Sequence, residues 1–468
     1  VASEERGEGR SQETVPAAGD SFSRVDAVMR PLNVVVERFI PSAFVFAVVL
    51  TAIVAVAALL VTDAGPKGVL VGWGEGFAGL LEFTMQMVLI LLLGHMLAHT
   101  RPARRILVRL SGLPRSTGQA YVFVVVLTSI ASLISWGLGL VVGALLAKEV
   151  ARQGRGRGLR LHFPLLVAAG YSGWVVWHMG YSGSASLTAA TEDSFAADMT
   201  GSVVPMSQTT FSVWNMVGVV VAVVLVATTI YLLRPRTGGR IIEVVTEESD
   251  EIYTRGEVST PAERVDNSRV PTFVVGFPLA VYIVVHFVDG GALTLDIVNW
   301  TFMCAILLLV RNSNELIALI RNSARNVGEV AFQYPLYAGI LGIMASTGLM
   351  AWVTDRFVDI SGPHSFGVIA LLSAGLVNIA VPSGGGQFAV QGPVLLETAQ
   401  ELGVDPSIAV MAVAYGDQWT NMIQPFWALP LLAIAGLRIR DILGYTSIVF
   451  VVSGISFAST LLVASYIV

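Results

Sequence analysis

Residues 366–400 read FGVIALLSAGLVNIAVPSGGGQFAVQGPVLLETAQ, an apolar stretch broken in its middle by Pro382-Ser383-Gly384-Gly385-Gly386. Crossing ~30 Å of hydrocarbon takes about 20 residues of helix, and the two halves around this break, at about 13 residues each, are too short to cross twice. The stretch therefore reads as a re-entrant hairpin that enters the bilayer and returns to the same side. Residues 118–148 repeat the pattern around Ser135-Trp136-Gly137-Leu138-Gly139. Non-helical backbone persists at membrane depth only where protein or a watery cavity covers it. Both tips are expected to face a cavity.

Outward from these hairpins, apolar blocks of spanning length fall at 35–62, 79–99, 163–190, 211–233, 271–289, 293–310, 330–352, 406–435 and 443–466. The composition agrees: 54% hydrophobic, 13% charged and a mean hydropathy of +0.72, against about 25% charged in soluble domains. A secreted disulfide scaffold, a nucleic-acid binder and a disordered regulator are excluded. The one cysteine, Cys304, lies in an apolar run and offers neither a disulfide nor a metal site. The expected fold is an all-α integral membrane protein with about nine transmembrane helices and two re-entrant helical hairpins.

Loops rich in arginine and lysine stay on the cytoplasmic side. With the N-terminus inside and hairpins that do not change side, only Lys67 and Arg356 of the 28 basic residues fall outside. Residues 1–30 are polar and lack an apolar core for a signal peptide, so they read as a disordered cytoplasmic tail. Residues 234–270 mix charges with Thr-Pro and Gly-Gly and read as a cytoplasmic linker. It separates a first repeat, 31–233, from a connecting helix and second repeat, 271–468.

The spacing supports duplication. Gly94 to Gly137 and Gly342 to Gly385 are both 43 residues apart, and each half reads helix, helix, broken hairpin, broken helix, helix. In the threading above, the two hairpins enter from opposite sides. Inverted repeats of this kind mark secondary transporters, with the site near the midplane where the repeats meet.

Inverted symmetry would gather four polar interruptions in one place. They are Ser135-Trp136-Gly137; the stretch holding His178, Ser182 and Ser184; Asn378 with Ser383-Gly384-Gly385-Gly386-Gln387; and Asp417 to Gln424, which includes Thr420 and Asn421. The start of a hairpin's second helix offers free backbone N–H groups and partial positive charge, which favour an anion without any arginine. Such a site suits one carboxylate better than a dianion. Trp136, Trp177, Phe388 and Trp419 are expected to wall its apolar tail. The small residues also suit close helix packing, and the Ser135, Ser383 and Thr420 hydroxyls suit bonds to carbonyls one turn back.

Asp417, in the interior of an apolar run, is a functional-site residue by default. It can take a coupling proton, cap a half-helix or ligate Na⁺; Asn378 and Gln424 are its expected companions in ion coupling. His178 can share a proton pathway. His95 is expected at the inner interface and Glu82 near the outer headgroups. Gly-x-Ser-Gly at 170–173 and 180–183 also raises an intramembrane serine protease, although His178 and Ser182 share one segment and a base normally arrives from another element. No enzymatic activity and no cofactor beyond a coupling H⁺ or Na⁺ is expected.

At these residues the chain resembles the short-chain fatty acid transporters of the AtoE type, within the wider ion transporter superfamily. The resemblance rests on Pro382–Pro393, on Gly416–Trp427, and on Ser135-Trp136-Gly137 with Trp177-His178 and Ser182-Gly183-Ser184. It extends over about residues 30–466. The resemblance implies uptake of short-chain monocarboxylates such as acetoacetate or butyrate, coupled to a cation, in the cell membrane. It also implies a homodimeric scaffold in lipid with an elevator-like moving unit, the helices at 35–62, 271–289 and 293–310 being scaffold. A dicarboxylate carrier and a cation/proton antiporter are the alternatives on the same fold.

Overall fold

The structure, a computed structural model, describes residues 43–79, 81–192, 194–235, 241–243, 259–291, 294–324 and 327–468. The expected tail at 1–30 and most of the 234–270 linker lie outside them. Among the described residues there is no strand. The first half contains α1 (Ala43–Val61), α2 (Gly65–Gly76), α3 (Leu81–His99), α4 (Arg101–Ser111), α5 (Thr117–Ile134), α6 (Trp136–Gly156), α7 (Phe163–Gly173), α8 (Ser184–Ala189), α9 (Phe195–Thr200) and α10 (Val213–Leu232). The second contains α11 (Pro261–Asp266), α12 (Val270–Val288), α13 (Leu295–Leu309), α14 (Ser313–Ser323), α15 (Gly328–Ser346), α16 (Leu349–Val358), α17 (Phe366–Ala380), α18 (Gly384–Glu401), α19 (Pro406–Thr420), α20 (Pro425–Ala435) and α21 (Ile439–Ala464).

By length and apolarity, five of these suffice to cross a membrane among the described residues: Phe44–Val61, Thr117–Ile134, Val213–Leu232, Pro261–Val288 and Ile439–Ala464. α15 and α16 make a sixth when taken together, bent by 63° at Gly348, whose φ of +74° suits glycine. The apolar block 330–352 is therefore a bent pair and not one straight helix. α2 lies where the sequence reads as a connection; its glycines let it sit against α15, with Gly72 and Gly76 packed on Gly342.

Both expected breaks exist. α5 gives way to α6 at Ser135, and the two fold back on each other, Gly139 against Ser132 and Gly143 against Thr128. α17 gives way to α18 at 381–383; across that pair Gln387 Nε2 donates to the Ala374 carbonyl at 2.8 Å and Gln391 Nε2 to Ser373 Oγ at 2.9 Å. These helices hold 18, 21, 15 and 18 residues, longer than the apolar count suggests. α6 in particular continues through polar Lys148–Gly156, because intrahelical bonding does not stop where hydrophobicity does. Length alone thus does not decide how deeply either pair enters the bilayer.

Within each half the first arm runs beside the following broken helix in the same direction. The His162 N–H donates to Tyr121 Oη at 2.8 Å near the starts of α7 and α5, and Gly173 meets Thr128 further along. Likewise Gly367 meets Ile408, and Gly375 meets Trp419 and Thr420. α21 relates the halves: its start meets α7 through the Tyr445 and His162 rings, 6.0 Å apart, and its end meets α17 at Gly367–Leu461. α7 and α19 therefore run in opposite senses. The arginine-rich connections gather at one end of the bundle: the Arg157 guanidinium donates to the carbonyls of Ser111, Gly112 and Pro114, and Arg155 pairs with Glu243 at 3.2 Å.

Candidate functional site

α7 does not continue as an α-helix. After Gly173 a tighter turn runs over Trp174–Met179, and 180–183 are non-helical before α8. α19 passes into a tight turn at Asn421–Ile423, and Gln424 is extended before α20. Proline at the first turn of α20 costs nothing, because the N–H it lacks would be orphaned there. The two breaks pass each other in opposite senses: the Tyr171 hydroxyl donates to the Asn421 carbonyl at 2.7 Å, and the His178 N–H donates to Gln418 Oε1 at 2.9 Å.

At their crossing, Asp417 Oδ2 lies 2.7 Å from His178 Nδ1, both side chains fully buried. The Ala185 N–H donates to His178 Nε2 at 3.2 Å, so Nε2 carries the lone pair and Nδ1 the proton given to Asp417. Ser184 Oγ lies 3.2 Å from the same Nε2. The tip of the second hairpin closes over this group. A Cβ on Gly384 would fall 2.6 Å from His178 Cε1, 2.7 Å from Ser184 Oγ and 3.2 Å from Asp417 Oδ2. Only glycine lets the start of α18 approach so closely. Ser383 caps that helix, its Oγ accepting the Gly386 N–H at 3.3 Å.

Beside this pair lies a knot of amides. Asn378 Nδ2 has three oxygens within reach: the Asp417 carbonyl at 2.7 Å, Thr420 Oγ1 at 2.9 Å and Asn421 Oδ1 at 2.6 Å. Gln424 Nε2 donates to Asn421 Oδ1 at 2.6 Å and to the Asn378 carbonyl at 3.3 Å. An amide has only two protons to give, so the three acceptors around Asn378 are shared. Several buried polar atoms here have no protein partner: Asp417 Oδ1, Asn378 Oδ1, Gln424 Oε1, Gln418 Nε2, Asn421 Nδ2 and Trp177 Nε1. Each such atom left unpaired costs about 1–3 kcal/mol, so a concentration of them calls for further partners, ordered water, an ion or a ligand.

The first hairpin tip joins from the other side. The Trp136 N–H donates to Ser182 Oγ at 2.9 Å, so the start of α6 is capped from the opposite break. Trp136, Trp174, Trp177 and Trp427 pack ring to ring, with centroids 5.1–6.4 Å apart. Ser135 and Gly137 are buried in this tip, while Ser184, Ser383, Gly385 and Gly386 keep partial exposure. The accessible side of the site is thus the α18 tip.

Three expected residues lie elsewhere. The Gln387 side chain is spent on Ala374 and Gln391, tying the arms of its hairpin. Trp419 stacks on Phe450 at 4.5 Å and donates its indole N–H to the Phe450 carbonyl. Phe388 packs on Phe195. Trp174 and Trp427, not Phe388 and Trp419, pack with Trp136 and Trp177. Gln418 and Ala185 also belong to the site; Gln418 carries the same signal as Asp417, a polar residue in an apolar run. His95, 7% exposed, pairs with Asn322 Oδ1 at 2.9 Å and lies beside Arg104, Lys148 and Arg152.

Ser184, His178 and Asp417 stand in the order of a hydrolytic triad. Neither serine of the Gly-x-Ser-Gly motifs is the one on His178, since Ser182 caps α6 and Ser172 Oγ is buried without a partner.

Membrane-length helices around an ionisable pair, buried where two broken helices cross, define a multi-pass membrane protein with a polar centre. The chain belongs to the short-chain fatty acid transporter family, whose model matches residues 24–464. It is 37% identical over 437 residues to an Escherichia coli (strain K12) protein named as a short-chain fatty acid transporter, covering 92% of this chain and 98% of that one. A Haemophilus influenzae protein of the same name is 35% identical over 438 residues, covering 91% and 97%. The chain is a transporter and not an enzyme, which removes the protease reading. Among solved structures, the Alcanivorax borkumensis YdaH transporter overlaps 92% of this chain and 97% of its own at 14% identity and a TM-score of 0.42. Neisseria gonorrhoeae MtrF overlaps 93% and 97% at 15% identity and a TM-score of 0.39. Overlaps this loose assign nothing further.

Proposed function

We propose that the protein carries short-chain monocarboxylates, of the size of acetoacetate or butyrate, across the cell membrane in symport with a cation. The observation that carries this reading is the crossing of the two broken helices in opposite senses, with Asp417 on His178 and the Gly384 tip against both. In this reading the halves 31–233 and 271–468 are inverted repeats, joined by the 234–270 linker and preceded by the 1–30 tail. The pairs α5–α6 and α17–α18 are re-entrant hairpins among about nine spans. The N-terminus is cytoplasmic, which the gathering of arginines at one end supports.

The carboxylate lies at the start of α18, against Ser184, Ser383 and the Gly384–Gly386 backbone, with Asn421 and Thr420 behind. Trp136, Trp177 and Trp427 face its short apolar tail. Asp417, with Asn378 and Gln424, couples binding to the cation, H⁺ or Na⁺. Access alternates as the hairpins and broken helices move, elevator-like, against a scaffold of α1, α12 and α13 in a homodimer. A thermal-shift screen of C2 to C8 carboxylates, with and without Na⁺, tests the reading. Short monocarboxylates should raise the melting temperature most; stabilisation by dicarboxylates alone would favour a dicarboxylate carrier.

A further inference from the structure

The sequence has no lysine or arginine between 117 and 147, 161 and 233, or 357 and 437, the segments that build the site. A carboxylate brought to the Gly384 tip beside Asp417 therefore meets no fixed cation to offset its charge. Burying an uncompensated carboxylate costs several kcal/mol. The one side chain at the site able to become a cation is His178, and its bonding shows what a proton would do there. In the neutral ring, the single lone pair on Nε2 serves both the Ala185 N–H and Ser184 Oγ, each at 3.2 Å.

We propose that the coupling ion is a proton, taken up at His178 Nε2 together with the substrate carboxylate. This rests on the reading of the protein as a carrier of short-chain carboxylates. With Nε2 protonated, the imidazolium donates from Nδ1 to Asp417 and from Nε2 to Ser184 Oγ. The Ser184 hydroxyl proton and the Ala185 N–H then both lose their acceptor, and the carboxylate oxygens supply a new one. A site that satisfies itself when His178 is neutral becomes a set of converging donors when it is charged. One proton cancels one carboxylate, so the loaded site carries the same net charge as the unloaded one. Asp417 accepts from Nδ1 in both states and holds the ring in place.

No other ionised group competes. The turn holding His178 packs against α5, α6, α7, α10 and α19, and the tip of α18 meets its ring; the carboxylates of α18, Glu397 and Glu401, lie more than three turns along that helix from Gly384. The charged residues of α6, from Lys148 onward, lie toward the arginine-rich end. The neighbouring phenols are committed, Tyr171 to the Asn421 carbonyl and Tyr415 to Asn215 Oδ1. Among the described residues no third His, Cys, Asp or Glu joins the pair to make a metal site.

Isothermal titration of the full chain with butyrate, in two buffers of different ionisation enthalpy, counts the protons bound. The expected result is uptake of about one proton per butyrate, with affinity falling about tenfold per pH unit on the alkaline limb and unaffected by replacing Na⁺ with choline. His178→Gln should bind more weakly, without pH dependence or proton uptake; Ser184→Ala should weaken binding but keep the proton count. Butyrate binding by the wild type with no proton uptake, or with Na⁺ required in its place, would overturn the proposal and leave the carrier reading standing. If neither butyrate nor any other C2 to C8 monocarboxylate bound, the carrier reading would fall, and this proposal with it.

Discussion

The two broken helices cross at one point but are built from different chemistry. The break after α19 is short, 421–424, and is tied by amides: Asn378 reaches three oxygens and Gln424 two. The break after α7 is longer, 174–183, and is held from several elements: Trp136 N–H to Ser182 Oγ, Tyr181 N–H to the Leu133 carbonyl, Asn215 Nδ2 to the Met179 carbonyl, His178 N–H to Gln418 Oε1, and the His178 pair with Asp417. Amides take up no proton near neutral pH, whereas an imidazole can, and a hydroxyl bonded to it can then turn from donor to acceptor. The second half thus supplies a fixed frame and one carboxylate; the first supplies the group that switches. Duplication would explain why both halves break at the same place, and the side chains explain why they are not interchangeable.

Asp417→Asn should have the largest effect, removing the carboxylate that orients His178. Uptake into proteoliposomes should lose gradient-driven accumulation, and a variant that still concentrates substrate normally would detach Asp417 from coupling. Next, Asn378→Ala should cost about 2–3 kcal/mol or more in thermal unfolding, since several buried oxygens lose their donor at once. Ser182→Ala, in the longer break, should cost only about 1 kcal/mol; equal losses would erase the contrast between frame and switch. Gly384→Ala places a methyl group against His178 and Ser184. Overpacking costs about 1–3 kcal/mol of folding stability, so the melting temperature should fall, and with the tip displaced from His178 substrate affinity should fall roughly tenfold. Smallest are Ser383→Ala and Asn421→Ala, each expected to weaken binding in a folded protein. Unchanged substrate-induced stabilisation in both would remove them from the site.

Much of the site was legible because polar and glycine residues inside apolar runs are local anomalies. Asp417, Asn378, His178 and the two hairpin tips stand out for that reason, and the structure brings them together. What was not legible depends on neighbours distant in the chain. His178 and Asp417 are 239 positions apart, and no local pattern tells which polar residue meets which. The same limit explains the tryptophans: Trp419 sits beside Asp417 in sequence, yet its side of α19 faces α21, where Gly454 leaves room for the indole. Helix ends were underestimated where charged residues continue a helix beyond its apolar core, as in α6. α2 was missed because it falls between the apolar blocks 35–62 and 79–99 and is itself rich in glycine, which here serves close packing on α15.

Counterflow is the most direct test. Vesicles preloaded with unlabelled butyrate and diluted into a trace of labelled butyrate should accumulate label transiently and saturably, as a single alternating site requires. Label that merely equilibrates, with flux rising linearly with concentration, would mean that the crossing segments line a leak and do not enclose a carrier's binding site.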